Sequence, residues 1–198
     1  MSYSKSEKTQ AKLLEATAFL LRTKGYNAMG LSDIIRESGI PKGSLYHHFP
    51  KGKDELSAAA ISHSGKQMLV SLKQLIDKSG TLIEGLYAFF DYYINQLEDS
   101  GFAKGCPLAT VSLETASGVP LVQHACKQAF DDIQDLLQQN LQKNGAGRKK
   151  AEQLATLAVA SFEGSLLLSK ARNETTPIRL MRDQLSEQLE PYSLKGLP

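Results

Sequence analysis

The chain has 198 residues and a formal net charge of +2, with 41% hydrophobic and 22% charged residues, which is ordinary for a globular protein. No apolar run approaches the roughly 18 residues of a membrane span, and the first ten residues lack the apolar core of a signal peptide, so we expect a cytoplasmic protein with no membrane partner. Two cysteines cannot form a disulfide framework, so both are expected to be thiols.

Helical spacing of apolar residues continues along the whole chain and predicts an all-α fold of about nine helices. Capping residues and glycine or proline stops set the helix bounds, and no strand is predicted. The predicted helices cover residues 7–24, 31–38, 42–48, 54–78, 82–97, 107–116, 121–143, 149–171 and 176–189.

Residues 31–53 are the most informative stretch because they have the pattern of a helix-turn-helix. Gly39 can take the left-handed conformation that ends the first helix, and Pro41 suits the first turn of the next. Leu45 faces the core, which leaves polar and aromatic side chains on the outer faces. Short polar side chains can reach base edges in a major groove, while Lys, Tyr and helix N-terminal N–H groups bind phosphates. This is the form of a DNA recognition helix.

These residues resemble the N-terminal domain of TetR-type transcriptional regulators. In that family the recognition helix ends in a six-residue pattern, [ST]-[LF]-Y-x-[HY]-F, where x is any residue. A Lys follows the pattern. Gly52 looks like an insertion in this pattern, and Gly30 stands where the family often places a Thr cap. The run GIPKGSLYHHFPKGK at 39–53 is similar to the LmrA/YxaF-like branch, whose members repress efflux or degradation genes. The matching residues are Ser44, Leu45, Tyr46, His48, Phe49 and Lys53.

The resemblance implies a helix-turn-helix DNA-binding domain over residues 1–53 and a helical effector-binding and dimerisation domain over 54–198. It also implies a homodimer that binds a palindromic site in double-stranded operator DNA, represses transcription, and is released by a small-molecule effector. Residues 1–53 hold nine Lys and Arg against four Asp and Glu, whereas 54–198 hold fourteen against seventeen. The positive charge is therefore concentrated where DNA is expected to bind.

The DNA contacts also follow from the family pattern, although each side chain has the alternative of being an ordinary solvated group. At or near the bases we expect Ser32, Lys42, Ser44 and His47, and at the phosphates Tyr46, His48 and Lys53. Gly43 is also expected to lie at the DNA.

The predicted helix 82–97 is rich in aromatic residues, which are either ordinary core or the wall of an effector pocket. TetR-type regulators generally release DNA when a small molecule binds among these helices, so the resemblance favours a pocket for an apolar, aromatic effector. Its predicted members are Phe89, Phe90, Tyr93, Cys106, Leu108, Leu113, Phe130 and Phe162.

Cys106 has two interpretations. At a helix N-terminus its thiolate would be favoured, and some TetR-type regulators sense electrophiles or oxidants with a cysteine at this place, so the protein is alternatively a redox-sensing repressor. Lys170 is then a candidate partner for the thiolate. The other interpretation is a small buried hydrophobic residue.

The last two helices carry apolar stripes that are either intramolecular core or a four-helix dimer interface. A dimer is favoured because one short recognition helix cannot specify a site alone. The predicted interface residues are Leu154, Leu157, Ser161, Gly164, Ser165, Leu168, Met181 and Leu185.

Other functional classes have little support in the sequence. The common motifs for zinc hydrolysis, phosphate binding, serine hydrolysis and dinucleotide binding are all missing, so we expect neither an enzyme nor a cofactor. His124 and Cys126 are two residues apart without further ligands close by, so no metal site is expected. A helical protein-interaction module without specific DNA binding is the remaining alternative, and it leaves the polar outer face of residues 42–48 unexplained.

Overall fold

The computed structural model describes residues 4–116 and 118–193, and within these ranges it contains ten α-helices and no strand. The all-α prediction is confirmed. The additional helix, α2, is a single turn at the point where the sequence predicts only a stop after the first helix. A 3-10 turn, Glu190–Tyr192, follows the last helix. The helices are α1 Lys5–Thr23, α2 Gly25–Ala28, α3 Leu31–Ser38, α4 Lys42–His48, α5 Lys53–Ser79, α6 Leu82–Asp99, α7 Pro107–Thr115, α8 Pro120–Lys143, α9 Arg148–Arg172 and α10 Thr176–Leu189.

The chain forms two compact units. Among the described residues, the first contains residues 4–66 together with those of Cys106–Ala129, and the second contains Gln67–Gly105 and residues 130–193. Helices α5 and α8 each begin in the first unit and end in the second. A functional boundary at residue 53 remains a prediction. Residues 1–3 of the predicted DNA-binding domain and residues 117 and 194–198 of the predicted effector domain lie outside the described residues.

In the first unit, α1 packs against α2, α3 and α7. Ser4 begins α1 with a capping box, since its hydroxyl accepts a hydrogen bond from the Glu7 N–H and the Glu7 carboxylate accepts one from the Ser4 N–H. The shared core is apolar and closed to solvent, as expected from the spacing of its residues. Its fully buried members include Leu13, Leu21, Met29, Ile34 and Leu45.

In the second unit, α10 packs against α6 and α9. Thr81 caps α6 as predicted, because its hydroxyl accepts a hydrogen bond from the Glu84 N–H at 3.2 Å. Gly85 lets the start of α6 approach the end of α5, since a Cβ at this position would lie 2.6 Å from the Cα of Ile76. These contacts fix the aromatic face of α6 toward the core of the unit.

Helix α9 has 25 residues and is, by length and composition alone, long and apolar enough to cross a membrane. The expectation of no membrane span did not include this helix, because serines and Glu163 interrupt its continuous apolar runs. One side of α9 is buried in the core of the second unit, including Leu154, Phe162 and Leu166. Core helices of soluble proteins pass the same test of length and composition, so this single helix is weak evidence for a membrane span.

Candidate nucleic-acid interface and effector cavity

The turn between α3 and α4 has the predicted geometry. Gly39 adopts φ +67°, and its N–H donates to the carbonyl of Ile35 at 3.0 Å, which ends α3 in a left-handed cap. Pro41 precedes α4, and its carbonyl accepts hydrogen bonds from the N–H groups of Ser44 and Leu45 at 3.0 and 3.1 Å. Because Leu45 is fully buried, it fixes the rotation of α4, which leaves Lys42, Tyr46 and His47 exposed.

The outer face of α4 presents hydrogen-bond donors and aromatic rings to solvent. The Lys42 ammonium lies 6.0 Å from the centroid of the Tyr46 ring, and the rings of His47 and His48 are 5.3 Å apart. Of the predicted DNA contacts, Ser32, Lys42, Gly43, Tyr46 and His47 are exposed, whereas Ser44, His48 and Lys53 are half-buried.

Asp33 stabilises the start of α3, where Gly30 provides no side-chain cap. One carboxylate oxygen accepts a hydrogen bond from the Gly30 N–H at 3.0 Å. The other accepts from the Lys24 ammonium at 3.0 Å and the Arg36 guanidinium at 2.6 Å. The Gly30 N–H first, and then the two cations, hold the pKa of Asp33 well below its usual range. The missing Thr cap is therefore replaced by a carboxylate three residues later.

Lys53 lies at the first turn of α5, next to a tyrosine from α2. Its ammonium is 4.1 Å from the centroid of the Tyr26 ring. The Tyr26 hydroxyl donates to the Asp54 carboxylate at 2.6 Å. Burial, and then this carboxylate, raise the pKa of Tyr26, so the phenol stays a neutral donor. Gly52, which is predicted to be an insertion in the family pattern, adopts φ +68° at the turn before α5, as glycine readily does.

Glu114 of α7 has a positioning role that the sequence did not reveal. Its carboxylate accepts hydrogen bonds from the backbone N–H groups of Tyr26 and Asn27 in the first turn of α2, the latter at 3.1 Å. A helix N-terminus favours a negative group at this place. The sequence separation of 88 between Tyr26 and Glu114 explains why no local pattern predicts the contact.

A cavity lies within the second unit. Four of the predicted pocket residues line it, and Tyr93 contacts two of them through ring pairs with Phe89 and Phe162 at 5.0 and 4.9 Å. Cys106, Leu108 and Leu113 are not among its lining residues, and Leu113 is 78% exposed. The lining residues are Met68, Leu72, Leu86, Phe89, Phe90, Phe130, Ile133, Leu137, Ala158, Val159, Phe162 and Glu163.

For both cysteines the structure favours a role in core packing over a role in sensing oxidants or electrophiles. Cys106 precedes α7 as expected, but it is only 3% exposed, so a reagent reaches its thiol only after local opening. The Lys170 ammonium donates to the Ala103 carbonyl at 2.9 Å. Cys126 is 1% exposed, and burial raises the pKa of its thiol.

The predicted dimer-interface residues fall on two sides of α9 and α10. Leu154, Ser165 and Leu185 are buried within the protomer and are not available as an exposed surface. Ser161 and Met181 are half-buried, and Gly164 is exposed with Leu157 and Leu168, which are 43% and 47% exposed. The stripe in the sequence thus combines a core side with an exposed side.

Comparison with known proteins gives the same family for both parts of the chain. Residues 13–60 match the family described as bacterial regulatory proteins of the tetR family, and residues 83–184 match the C-terminal domain of LmrA/YxaF-like transcriptional regulators.

Individual relatives agree with this result. YxaF of Bacillus subtilis, an HTH-type transcriptional regulator, is 33% identical over 177 residues, which cover 89% of this chain and 93% of YxaF. NemR of Escherichia coli, an HTH-type transcriptional repressor, is 25% identical over 135 residues, 68% of this chain and 67% of NemR. A TetR transcriptional regulator from Legionella pneumophila has a similar structure, with a TM-score of 0.82, 25% identity and coverage of 95% of this chain and 99% of that one. The chain therefore belongs to the TetR family of DNA-binding transcriptional regulators, in its LmrA/YxaF-like branch, and is not an enzyme.

Proposed function

We propose that the protein is a cytoplasmic repressor that binds a palindromic operator as a homodimer and leaves it when a small, apolar, aromatic effector occupies the cavity of the second unit. The observation that carries this proposal is the aromatic-lined cavity, which occurs in the same chain as an exposed recognition helix. In the bound state the protein is associated with the nucleoid.

The recognition surface supports specific binding to double-stranded DNA. Lys42 and His47 are exposed on α4 and can reach base edges, with Ser32, Gly43 and Ser44 beside them. Tyr46, His48 and Lys53 carry donors suited to phosphates. Since α4 has only seven residues, one copy reads few base pairs, and a symmetric pair of copies doubles the contacts.

The exposed side of α9 and α10 supports a dimer. Leu157, Leu167 and Leu168 of α9 are 43–61% exposed, and Leu180 of α10 is 62% exposed. Gly164 lies between these leucines, where its lack of a side chain allows close helix approach. A second copy that packs on this surface buries the leucines of both chains.

The link between effector and DNA is expected to run through α5. Met68 and Leu72 of this helix line the cavity, and Lys53 lies in its first turn. An effector that binds one conformation better than the other shifts the population by its difference in affinity. Two recognition helices bind DNA only when their spacing matches the groove repeat, so a change in that spacing releases the operator.

The direction of regulation is taken from the family. NemR is named a transcriptional repressor, and the branch resemblance implies the same.

The test is selection of genomic DNA fragments by the immobilised full-length protein, followed by release of the selected site with a panel of aromatic compounds. We expect one palindromic sequence to be enriched and at least one compound to release it and raise the melting temperature. Weak, salt-sensitive binding without an enriched sequence would contradict the specific regulator, and a panel that changes neither DNA binding nor melting would contradict the effector.

A further inference from the structure

The ring of Tyr26 lies where three helices of the first unit meet. Tyr26 belongs to α2 and is only 8% exposed, so its ring is held by packing. Its hydroxyl donates to the carboxylate of Asp54 in α5 at 2.6 Å, and its backbone N–H donates to the carboxylate of Glu114 in α7. The side chain and the backbone of Tyr26 are therefore both fixed, each by a carboxylate from a different helix.

The contact with Glu114 leaves α2 little freedom to shift. The same carboxylate accepts a second hydrogen bond, from the Asn27 N–H at 3.1 Å. Gly25 precedes these two donors, and a Cβ at this position would overlap the Glu114 carboxylate. The glycine thus allows α7 and α2 to approach closely, and this approach sets the place of the tyrosine ring.

The face of this ring carries the Lys53 ammonium. The nitrogen lies 4.1 Å from the ring centroid, a distance at which the ring attracts a cation. Lys53 is half-buried and forms no ion pair with any other described residue. A ring holds a cation without neutralising it, whereas a carboxylate would cancel its charge. The positive charge of Lys53 is therefore fixed in place and still available to an anion.

We propose that Tyr26 is a positioning residue for DNA binding, whose ring holds the Lys53 ammonium where a phosphate of the operator backbone meets it. The inference rests on the proposed function, because Lys53 is one of the phosphate contacts proposed above. A lysine side chain loses much rotamer freedom when it is immobilised, and one that a ring already holds loses less of it on binding. Removal of the ring therefore weakens DNA binding, although Tyr26 itself is buried.

A contact of this kind acts on every DNA sequence. Phosphates occur along any duplex, so the contact adds affinity but carries no sequence information. It also adds to the salt dependence of binding, since a lysine that neutralises a phosphate releases a counterion. General damage to the helix-turn-helix has a different signature, because its effect on affinity does not depend on whether Lys53 is present.

The experiment measures the coupling between Tyr26 and Lys53 by a double-mutant cycle on the full-length protein. Tyr26→Leu removes the ring, Lys53→Gln removes the charge, and a third variant combines the two. Leu13→Val, combined with Lys53→Gln in the same way, is the control, because it removes core volume at a fully buried position of the same unit. Titrations of operator and scrambled duplex at several salt concentrations give the affinities, and far-UV circular dichroism checks the fold.

With Lys53 present, Tyr26→Leu should weaken binding to both DNAs by about fivefold, and in the Lys53→Gln background by less than about twofold. It should also flatten the salt dependence toward that of Lys53→Gln. Leu13→Val should have the same effect with and without Lys53. Additive losses for Tyr26→Leu and Lys53→Gln, or tighter DNA binding without the ring, would overturn the inference.

A second substitution decides the question if Tyr26→Leu does not fold. Pentafluorophenylalanine at position 26 has nearly the shape of phenylalanine, but its fluorines reverse the charge distribution of the ring, so its face repels a cation. Relative to Tyr26→Phe, it should weaken DNA binding by about fivefold, and only when Lys53 is present. Equal affinities of these two proteins would contradict the role of the ring.

Scrambled DNA separates this inference from the proposed function. If selection enriches no palindrome, the proposed function fails, while the coupling between Tyr26 and Lys53 is still measured on scrambled duplex. If a palindrome is enriched and an effector releases it, but the coupling is absent, this inference alone fails.

Discussion

The carboxylate of Glu114 in α7 accepts hydrogen bonds from the backbone N–H groups of Tyr26 and Asn27, and so caps a one-turn helix that lies 88 residues earlier in the chain. The same tyrosine donates its hydroxyl to Asp54 and lies under the ammonium of Lys53. A side chain of α7 is thus connected through Tyr26 to the first turn of α5, where a predicted phosphate contact lies.

Replacing Glu114 with Gln should destabilise the protein by about 1–3 kcal/mol, because a charged acceptor of two backbone N–H groups becomes neutral. Urea unfolding measures the change. Glu37→Gln is the matched control, since Glu37 is exposed on α3 in the same unit, and it should change the free energy of unfolding by less than about 0.5 kcal/mol. Equal stability of the two variants would show that the Glu114 contacts contribute nothing net.

Replacing Gly25 with Ala should destabilise the protein more than replacing Gly39 with Ala. Both glycines have positive φ, +78° and +67°, so both substitutions carry the backbone cost of about 1–2 kcal/mol for an L-residue. A Cβ at Gly25 also meets the Glu114 carboxylate, whereas a Cβ at Gly39 has nothing within 4 Å. The difference between the two losses of unfolding free energy measures the cost of the contact between the new Cβ and the Glu114 carboxylate. Equal losses of unfolding free energy would mean that Glu114 moves aside freely.

The helix-turn-helix could be predicted closely because its signals are local. Gly39, Pro41 and the buried Leu45 lie within seven residues of one another, and each acts on its neighbours in the chain. Helix α2 was missed because one turn is too short to show helical spacing, and its N-terminal cap comes from Glu114.

The cavity could be predicted only in part. Helical spacing identified Phe89 and Phe162 as inward-facing, but it cannot assign a residue such as Leu113 to one cavity, because that depends on how helices pack. Glu163 was missed because an acidic residue in a helix is ordinarily solvated. For α9, apolar residues occur on both sides, so the sequence could not separate buried Leu154 from exposed Leu157.

Asp33 should make part of the stability depend on pH. Its pKa is lowered in the folded chain by the Gly30 N–H and by Lys24 and Arg36. A carboxyl with a lower pKa in the folded than in the unfolded state stabilises the fold above the unfolded value, about 4, and loses that contribution as the pH falls through the folded value.

The Asp33→Asn variant should therefore melt at a lower temperature than the wild type at neutral pH. The difference should narrow as the solution is acidified below about pH 4. Melting curves from neutral to acidic pH measure this, with Asp77→Asn, at an exposed position, as the control. A constant difference at every pH would show that the effect is not due to the charge of Asp33.

Lys42 and Tyr46 should differ in their effects on DNA binding. Tyr46→Phe removes the proposed donor to a phosphate and should weaken binding to operator and scrambled DNA alike, by roughly 2- to 12-fold. Lys42→Ala removes a proposed base contact and should also lower the ratio of the two affinities, by about tenfold. Titrations at fixed salt measure both, and exposed Lys149→Ala on α9 is the control. Equal losses on both DNAs for Lys42→Ala would contradict its role in sequence recognition.

Gly164 allows self-association to be tested without disturbing the fold. A Cβ at this position has nothing within 4 Å in the protomer, and a helical Gly is intrinsically unfavourable, so Gly164→Gln should fold at least as stably as the wild type. In a dimer through the exposed leucines of α9, the Gln side chain keeps the two helices apart and should raise the dissociation constant by at least about tenfold. Sedimentation over a dilution series measures the constant. Gly164→Ala is the control, because a methyl group should be tolerated better. A Gly164→Gln protein that dimerises as tightly as the wild type would place the interface on another surface.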